Sequence, residues 1–160
     1  MRAPSLLSAL LISFALTACG PSSPSAPSSP APAPVASGPS AEEIAAAMAE
    51  LPAPYNEANY EAGRRVFAQC RSCHLIQEGV PSRAAPNLHG VFGREAGSLE
   101  GFIYSNALQE ADFTWDADRI DHWLDNPRSF LPGNRMAFAG VRDETQRRDL
   151  IAYLLIETNR

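Results

Sequence analysis

Two cysteines three residues apart, followed at once by a histidine, constrain this chain more than any other feature. The segment runs Cys70-Arg71-Ser72-Cys73-His74. This C-x-x-C-H arrangement is the attachment signal of a c-type haem. Residues three apart share one side of a helical turn, so both thiols can bond one haem while the adjacent histidine directs a ring nitrogen at the iron. The motif therefore predicts a fold built around one large covalent cofactor, haem c.

A cysteine pair can also hold zinc or act as a thiol–disulfide redox site. A zinc ribbon needs a second pair of cysteines or histidines at ligand spacing, and the sequence contains no such pair. A thioredoxin-like site needs a βαβ unit, and no segment of the chain alternates as a strand should. Haem attachment is therefore the interpretation that agrees with the rest of the sequence.

Helical signals dominate the chain around this motif and predict an all-α fold. Asn59 can cap a helix that runs to about Gln69, and Asp143 with Gln146 forms a capping box for a helix to the C-terminus. Pro127 is expected to break the chain before the C-terminal helix, as is Pro132. Helical stretches are also expected over the ranges 42–51, 99–108 and 117–124, the first of them opened by a capping box of Ser40 and Glu43.

The loops predicted at 74–98 and 126–143 are long for a small domain. Compact domains seldom contain such long structureless segments. A large apolar haem at the centre removes the difficulty, because the loops can pack on it instead of on each other. The expected architecture is three main helices, further short helices and long loops wrapped around one haem.

The iron needs a second axial ligand besides His74, and methionine or histidine can supply it. Met136 follows a proline–glycine pair, which suits a loop that wraps toward the iron. On spacing alone, His89 and His122 are rivals to Met136 for this position.

The first forty residues differ in composition from the rest of the chain. Residues 1–18 combine a basic start with a short apolar stretch, which predicts a secretory signal. The segment Leu16-Thr17-Ala18-Cys19 resembles the lipobox of bacterial lipoproteins, which implies a lipoprotein-type signal cut before a lipidated Cys19. The alternative is an ordinary secretory signal with an incidental cysteine. Residues 19–40 are nearly all Pro, Ser, Ala and Gly after that cysteine and predict a disordered tether. The domain that follows is expected over 57–160, after a short helical extension over 41–56.

The chain from Gly63 onward resembles the mitochondrial-type class I cytochromes c and their bacterial periplasmic relatives. The matching segments occur in order and cover essentially the whole predicted domain. They are Gly63–Phe67, Cys70–His74, Pro86–Arg94, Gly101–Tyr104, Trp115, Asn126–Pro127, Pro132–Gly140 and Arg148–Tyr153. The resemblance implies a cytochrome c fold with Met136 as the second axial ligand.

The resemblance also implies roles for other residues around the haem. Pro86 matches the proline whose carbonyl accepts a hydrogen bond from the proximal histidine, a contact that would orient His74. Asn134 stands where the family has a threonine that caps a haem propionate, and it could still donate there. Three more residues match donors to the propionates, namely Arg94, Tyr104 and Trp115.

Several positions depart from the family pattern. Trp123 replaces a tyrosine near the methionine sulfur, and Leu108 replaces an asparagine beside the haem. The chain contains no lysine, whereas the family docks through lysines around the haem edge and exchanges its methionine for a lysine at high pH. Arginines stand at such positions instead, namely Arg83, Arg128 and Arg135.

As a whole, the resemblance implies a monomeric carrier of single electrons rather than an enzyme. The family's donor is a quinol–cytochrome c oxidoreductase, and its acceptor is a terminal oxidase or a photosynthetic reaction centre. The expected location is the bacterial periplasm, with the anchor in the inner rather than the outer membrane. A net charge of −5 argues against nucleic-acid binding. Two alternatives remain open: an enzyme or ligand sensor in which Met136 leaves the iron, and a fixed haem subunit of a larger complex.

Overall fold

The computed structural model describes residues 38–160, and in this range the fold is all-α, as predicted. Its only extended pairing within that range is an isolated bridge between Glu95 and Thr114. The helices are α1 (Ala41–Ala49), α2 (Tyr60–Phe67), α3 (Asn106–Gln109), α4 (Ala117–Asp125), α5 (Pro127–Phe130) and α6 (Glu144–Glu157), with a 3₁₀ turn at Tyr55–Glu57. The predicted signal segment, the lipidation site Cys19 and the predicted tether up to residue 37 lie outside the described residues.

Side-chain caps begin the helices where the sequence predicts them. On α1, Ser40 Oγ accepts the Glu43 N–H, and the Glu43 carboxylate accepts the Ser40 N–H, which completes the capping box. Asn59 and Asp143 each accept the backbone N–H three residues further on, both at 2.8 Å, and so begin α2 and α6. Each cap satisfies a backbone donor that has no partner inside its helix.

Two predicted segments differ in the structure. The range 99–108 is helical only in its last part, where Ser105 caps α3. Before that cap the chain turns through Gly101 at φ +75°, a left-handed conformation that no helix contains. Pro127 does not break the chain into a loop but opens α5 at its first turn, where the missing N–H would have no helical partner.

The core is centred on the crossing of α2 and α6. A Cβ added at Gly63 would lie 2.0 Å from the backbone oxygen of Asp149, so only glycine allows the two backbones to approach this closely. The ring of Tyr153 packs against Tyr60 and Phe67 at centroid distances of 5.2 and 5.3 Å. Because α2 ends at Phe67, this crossing provides the rigid support from which the C-x-x-C-H segment continues.

Helix α4 is joined to α6 by Arg147, whose side chain is only 11% exposed. Its Nε donates to Asp121 Oδ1 at 2.8 Å, and its Nη1 donates to the Val141 carbonyl at 3.0 Å. The hydrogen bond to Asp121 raises the pKa of Arg147, so this guanidinium stays charged. Arg147 therefore connects α6 both to α4 and to the end of the loop that precedes α6.

Helix α1 packs on the core beside α6. Ile44, Ala47, Met48 and Leu51 provide the apolar side chains of this contact. The longest helix of the described range is α6, with 14 residues. None of the helices between residues 38 and 160 combines the length and the apolar character that a bilayer crossing requires.

Candidate haem site

The C-x-x-C-H segment continues from α2 as a helical turn. The N–H groups of Cys73 and His74 both donate to the Cys70 carbonyl, at 3.0 and 2.9 Å. Cys70 is partly buried and Cys73 is exposed. Burial, with a smaller contribution from Cys73, raises the pKa of Cys70 to about 11, so its thiol stays protonated at neutral pH. The turn brings the three predicted attachment residues onto one short stretch of backbone.

His74 is oriented by a carbonyl that lies twelve residues further along the chain. Its Nδ1 lies 2.8 Å from the Pro86 oxygen. A carbonyl can only accept, so the proton of the ring sits on Nδ1 and the lone pair sits on Nε2. Burial lowers the pKa of His74, which favours the neutral ring. His74 is thus an oriented neutral imidazole, which is the form that binds iron.

Met136 lies in the loop between α5 and α6 and is partly buried against the core. Its backbone N–H donates to Asn134 Oδ1 at 2.9 Å. The Asn134 Nδ2 donates in turn to the carbonyls of Pro127 and Leu131, each at 2.8 Å. The segment that carries the predicted axial methionine therefore has a defined shape held by side-chain-to-backbone hydrogen bonds.

Three of the four predicted propionate donors lie near one another. The backbone N–H of Trp115 donates to the backbone carbonyl of Arg94 at 2.8 Å, which places these two residues on adjacent segments. Burial raises the pKa of Tyr104, and the charge of Arg94 acts against that rise. The Arg94 guanidinium donates to the carbonyls of Asn87 and His89 at 3.0 and 3.1 Å. Its other three N–H groups have no hydrogen-bond partner among residues 38–160 and could bind a carboxylate.

Arg94 is partly buried, and this removal from water lowers the pKa of its guanidinium. A buried charge is costly unless an opposite charge accompanies it. The carboxylates of a haem would provide that partner. The donor set around Arg94 therefore fits the propionate end of the cofactor, as the oriented His74 fits the iron.

The fourth predicted donor, Asn134, has different partners in the structure. A side-chain amide has two N–H groups, and both are bonded to backbone carbonyls, one at the start and one at the end of α5. Donation to a propionate would break one of these bonds. The sequence could not predict this arrangement, because its partners are main-chain oxygens that have no sequence signature.

The two histidines that rival Met136 lie in other surroundings. His122 is exposed and lines a cleft of about 430 Å³ between α4, α6 and the 3₁₀ turn, together with Asp118, Asp121 and Glu144. This cleft contains no residue of the C-x-x-C-H segment. His89 belongs to the segment held by Arg94, and its buried Nδ1 has no hydrogen-bond partner among the described residues.

Four aromatic side chains form a cluster that no sequence signal predicted. Its ring centroids lie 4.9 to 6.2 Å apart, mostly edge to face. Such geometry stabilises aromatic pairs beyond the area they bury. The cluster consists of Phe113, Trp115, Trp123 and Phe130. It includes Trp123, the replacement for the family's tyrosine, and Trp115, one of the predicted propionate donors.

Comparison with known proteins identifies the family of the chain. No protein-family model matches the chain. Cytochrome c of Kluyveromyces lactis is 38% identical over 106 residues, which span 66% of this chain and 96% of that protein. Cytochrome c2 of Blastochloris viridis is 39% identical over 107 residues, which span 67% of this chain and 84% of that protein.

A solved structure gives the same result for the fold. Cytochrome cH from Methylobacterium extorquens superposes with a TM-score of 0.57 at 35% identity, over 61% of this chain and 98% of that one. This likeness agrees with the all-α fold described above. The chain therefore belongs to the class I cytochrome c family, electron carriers that hold haem c covalently through cysteine.

Proposed function

We propose that this protein is a membrane-tethered monohaem cytochrome of the bacterial periplasm. It passes single electrons from a quinol–cytochrome c oxidoreductase to a terminal oxidase or a photosynthetic reaction centre. One observation carries the proposed site: beside the two cysteines, the His74 ring is fixed by its 2.8 Å contact with the Pro86 oxygen. A fixed ring avoids reorganisation when the charge at the iron changes.

In this proposal Cys70 and Cys73 attach the haem, and His74 and Met136 occupy the two axial positions. Bound haem supplies an iron that gains and loses one electron. The protein holds the imidazole through Pro86, as seen in the hydrogen bond to its carbonyl. Since side chains fill both axial positions, no coordination site is left for a substrate. Arg94, Tyr104 and Trp115 are the proposed propionate donors.

Exposed arginines support docking to partners with acidic surfaces. Arg128 and Arg135 lie on either side of the turn before Met136, and Arg83 is exposed in the loop before Pro86. A guanidinium can bind a carboxylate through two parallel hydrogen bonds. We therefore propose that partner complexes present carboxylates to this edge of the protein.

The membrane attachment is proposed from the sequence. The apolar stretch that ends at Cys19 supports lipidation, and the Pro/Ser/Ala-rich segment after it supports a tether. The predicted tether ends at Ser40, and that residue caps α1. We propose that the inner membrane holds the anchor, since the proposed partners lie there.

The substitution Met136→Ala tests the ligand assignment. The haem should stay attached, the reduced protein should bind carbon monoxide readily, and the reduction potential should fall because methionine ligation raises it. His122→Ala is the matched control and should keep the wild-type spectrum and potential. A Met136→Ala protein with wild-type spectrum and potential would exclude Met136 as the ligand.

A further inference from the structure

We infer that Asn134 is a positioning residue that holds the Met136 loop closed and thereby sets how readily the iron exchanges this ligand. The inference rests on the proposed role of Met136 as the axial ligand. It gives Asn134 a role different from that of the family's threonine, which binds a propionate. Its basis is the hydrogen bonding of one amide side chain.

The Asn134 amide connects three points of the backbone between Pro127 and Met136. Its Oδ1 accepts the Met136 N–H at 2.9 Å, and its Nδ2 donates to the Leu131 and Pro127 carbonyls at 2.8 Å each. The side chain is partly buried, so these bonds are shielded from competing water. A single residue therefore connects the start of α5, the end of α5 and the backbone of the methionine.

Residue type decides whether this connection can exist. Two donors and one acceptor on a short side chain are found only in asparagine. A threonine hydroxyl has one donor and could keep one link to a carbonyl. An aspartate has no donor when ionised, and its charge would face two carbonyl oxygens. The family's threonine therefore cannot reproduce the connection that Asn134 makes.

Two other contacts also hold this loop. The Val141 N–H donates to the Leu124 carbonyl at 2.7 Å, and Arg135 Nη2 donates to the Ile103 carbonyl at 2.7 Å. Neither contact involves the Met136 backbone. Asn134 is thus the tie nearest to the methionine, and its loss should favour local opening of the loop while the α2–α6 crossing stays intact.

Removal of the tie should change ligand exchange by a measurable factor. A net contribution of about fivefold per hydrogen bond gives a roughly 10- to 100-fold larger open population in Asn134→Ala. Each tenfold change shifts the pH midpoint of methionine displacement by one unit. The midpoint should therefore fall by about one to two pH units. Asn134→Thr should give an intermediate midpoint.

The experiment uses the ferric holoprotein. An alkaline titration follows the methionine–iron charge-transfer band, and stopped-flow mixing gives the rate of imidazole binding at neutral pH. Asn159→Ala is the matched control, because it removes an asparagine–carbonyl bond of 2.9 Å, to Leu155, at the C-terminus. It should change neither readout. Urea unfolding of each variant reports global stability separately.

The order wild type above Asn134→Thr above Asn134→Ala in alkaline midpoint, with the inverse order in imidazole binding rate, would support the inference. Equal midpoints in all variants, with or without a loss of global stability, would overturn it. It would also be overturned by unchanged midpoints together with an altered pH dependence of the potential below neutrality, which would assign Asn134 to a propionate. A wild-type protein without the charge-transfer band would instead refute the proposed Met136 ligand.

Discussion

Residues of this site differ in how many of their N–H groups are already used in hydrogen bonds within the described residues. His74 uses its Nδ1 proton on Pro86 and keeps the Nε2 lone pair. Arg94 uses two of five N–H groups, whereas Asn134 uses both of its own. These counts separate residues that can still bind a cofactor from residues that shape the loop around it.

The absence of lysine predicts an unusual behaviour at high pH. A side chain that replaces Met136 at the iron must offer a lone pair. All thirteen basic residues are arginine, and a guanidinium stays protonated at any accessible pH. We therefore expect hydroxide to replace Met136, or His89 or His122 if the loop opens far enough, and no amine ligand from a side chain.

Electron paramagnetic resonance and near-infrared spectra of the ferric domain across an alkaline titration identify the ligand that replaces Met136. The N-terminus must be blocked and tag lysines removed, since either would supply an amine. Arg135→Lys is the positive control, because it places one amine directly before Met136. A histidine–amine signal in the unsubstituted protein would contradict the prediction.

A site residue could be predicted from the sequence when its partners are its neighbours along the chain, and not when they are brought to it by the fold. Cys70, Cys73 and His74 form a contiguous motif, so their proximity follows from helical geometry alone. The Pro86 contact was implied by the family resemblance, and the structure has it. The partners of Asn134 are main-chain carbonyls, whose positions depend on the folded loop and leave no trace in composition or spacing.

At the scale of helices, the residues that begin a helix could be predicted from local sequence, whereas the conformation of a whole segment could not. Ser40, Asn59 and Asp143 cap their helices as predicted, because a cap needs only residues within one turn. The range 99–108 is mostly loop, since Ser105 caps α3 only near its end. There the tertiary packing of the loop, not local propensity, decides the backbone conformation.

The crossing of α2 and α6 gives a prediction about Gly63. Helix propensity alone would make Gly63→Ala stabilising by up to about 1 kcal/mol. A Cβ would however lie 2.0 Å from the Asp149 oxygen, and the two backbones cannot separate without disturbing the core. We expect a net loss of about 1–3 kcal/mol in the free energy of unfolding by urea. Gly38→Ala is the control, since a Cβ added at Gly38 meets no atom of the described residues within 4 Å. A Gly63→Ala protein as stable as this control would contradict the prediction.

The same crossing should lose stability in alkali. Burial raises the pKa of Tyr153 to about 12, against about 10 in an unfolded chain. The native state holds this proton more tightly, so the contribution is complete below pH about 10 and is lost as the pH rises from about 10 to about 12. Urea unfolding at several pH values should show a steeper fall for wild type than for Tyr153→Phe. Parallel curves would mean that the phenol does not couple to folding.

The whole molecule combines a family domain with a segment of different composition. The two cytochrome relatives align with 106 and 107 of the 160 residues, so about a third of this chain has no counterpart in them. Comparison with relatives accounts for the haem domain. The boundaries 1–18, 19–40, 41–56 and 57–160 stay predictions from composition.

Lipidation of Cys19 makes membrane attachment separable from haem chemistry. Acyl chains bind a bilayer with about 0.8 kcal/mol per buried CH₂, so the loss of the acylated cysteine should abolish stable anchoring. Cys19→Ser should therefore move the protein to the soluble periplasmic fraction. Its haem spectrum should stay unchanged, because Cys19 is absent from the C-x-x-C-H motif and from the proposed donor set.

The tether should also set the rate of electron transfer at the membrane. Its prolines favour extended conformations of about 3.1 Å per residue, so the segment could reach roughly 60 Å. Confinement within that reach gives an effective concentration on the order of mM. Deletion within residues 21–39 should slow turnover with membrane complexes once the span cannot be bridged, whereas a Gly/Ser segment of equal length should retain most of the rate. A wild-type protein found wholly in the soluble fraction, with the mass of the unlipidated chain, would contradict both predictions, because no anchor would then exist for the tether to hold.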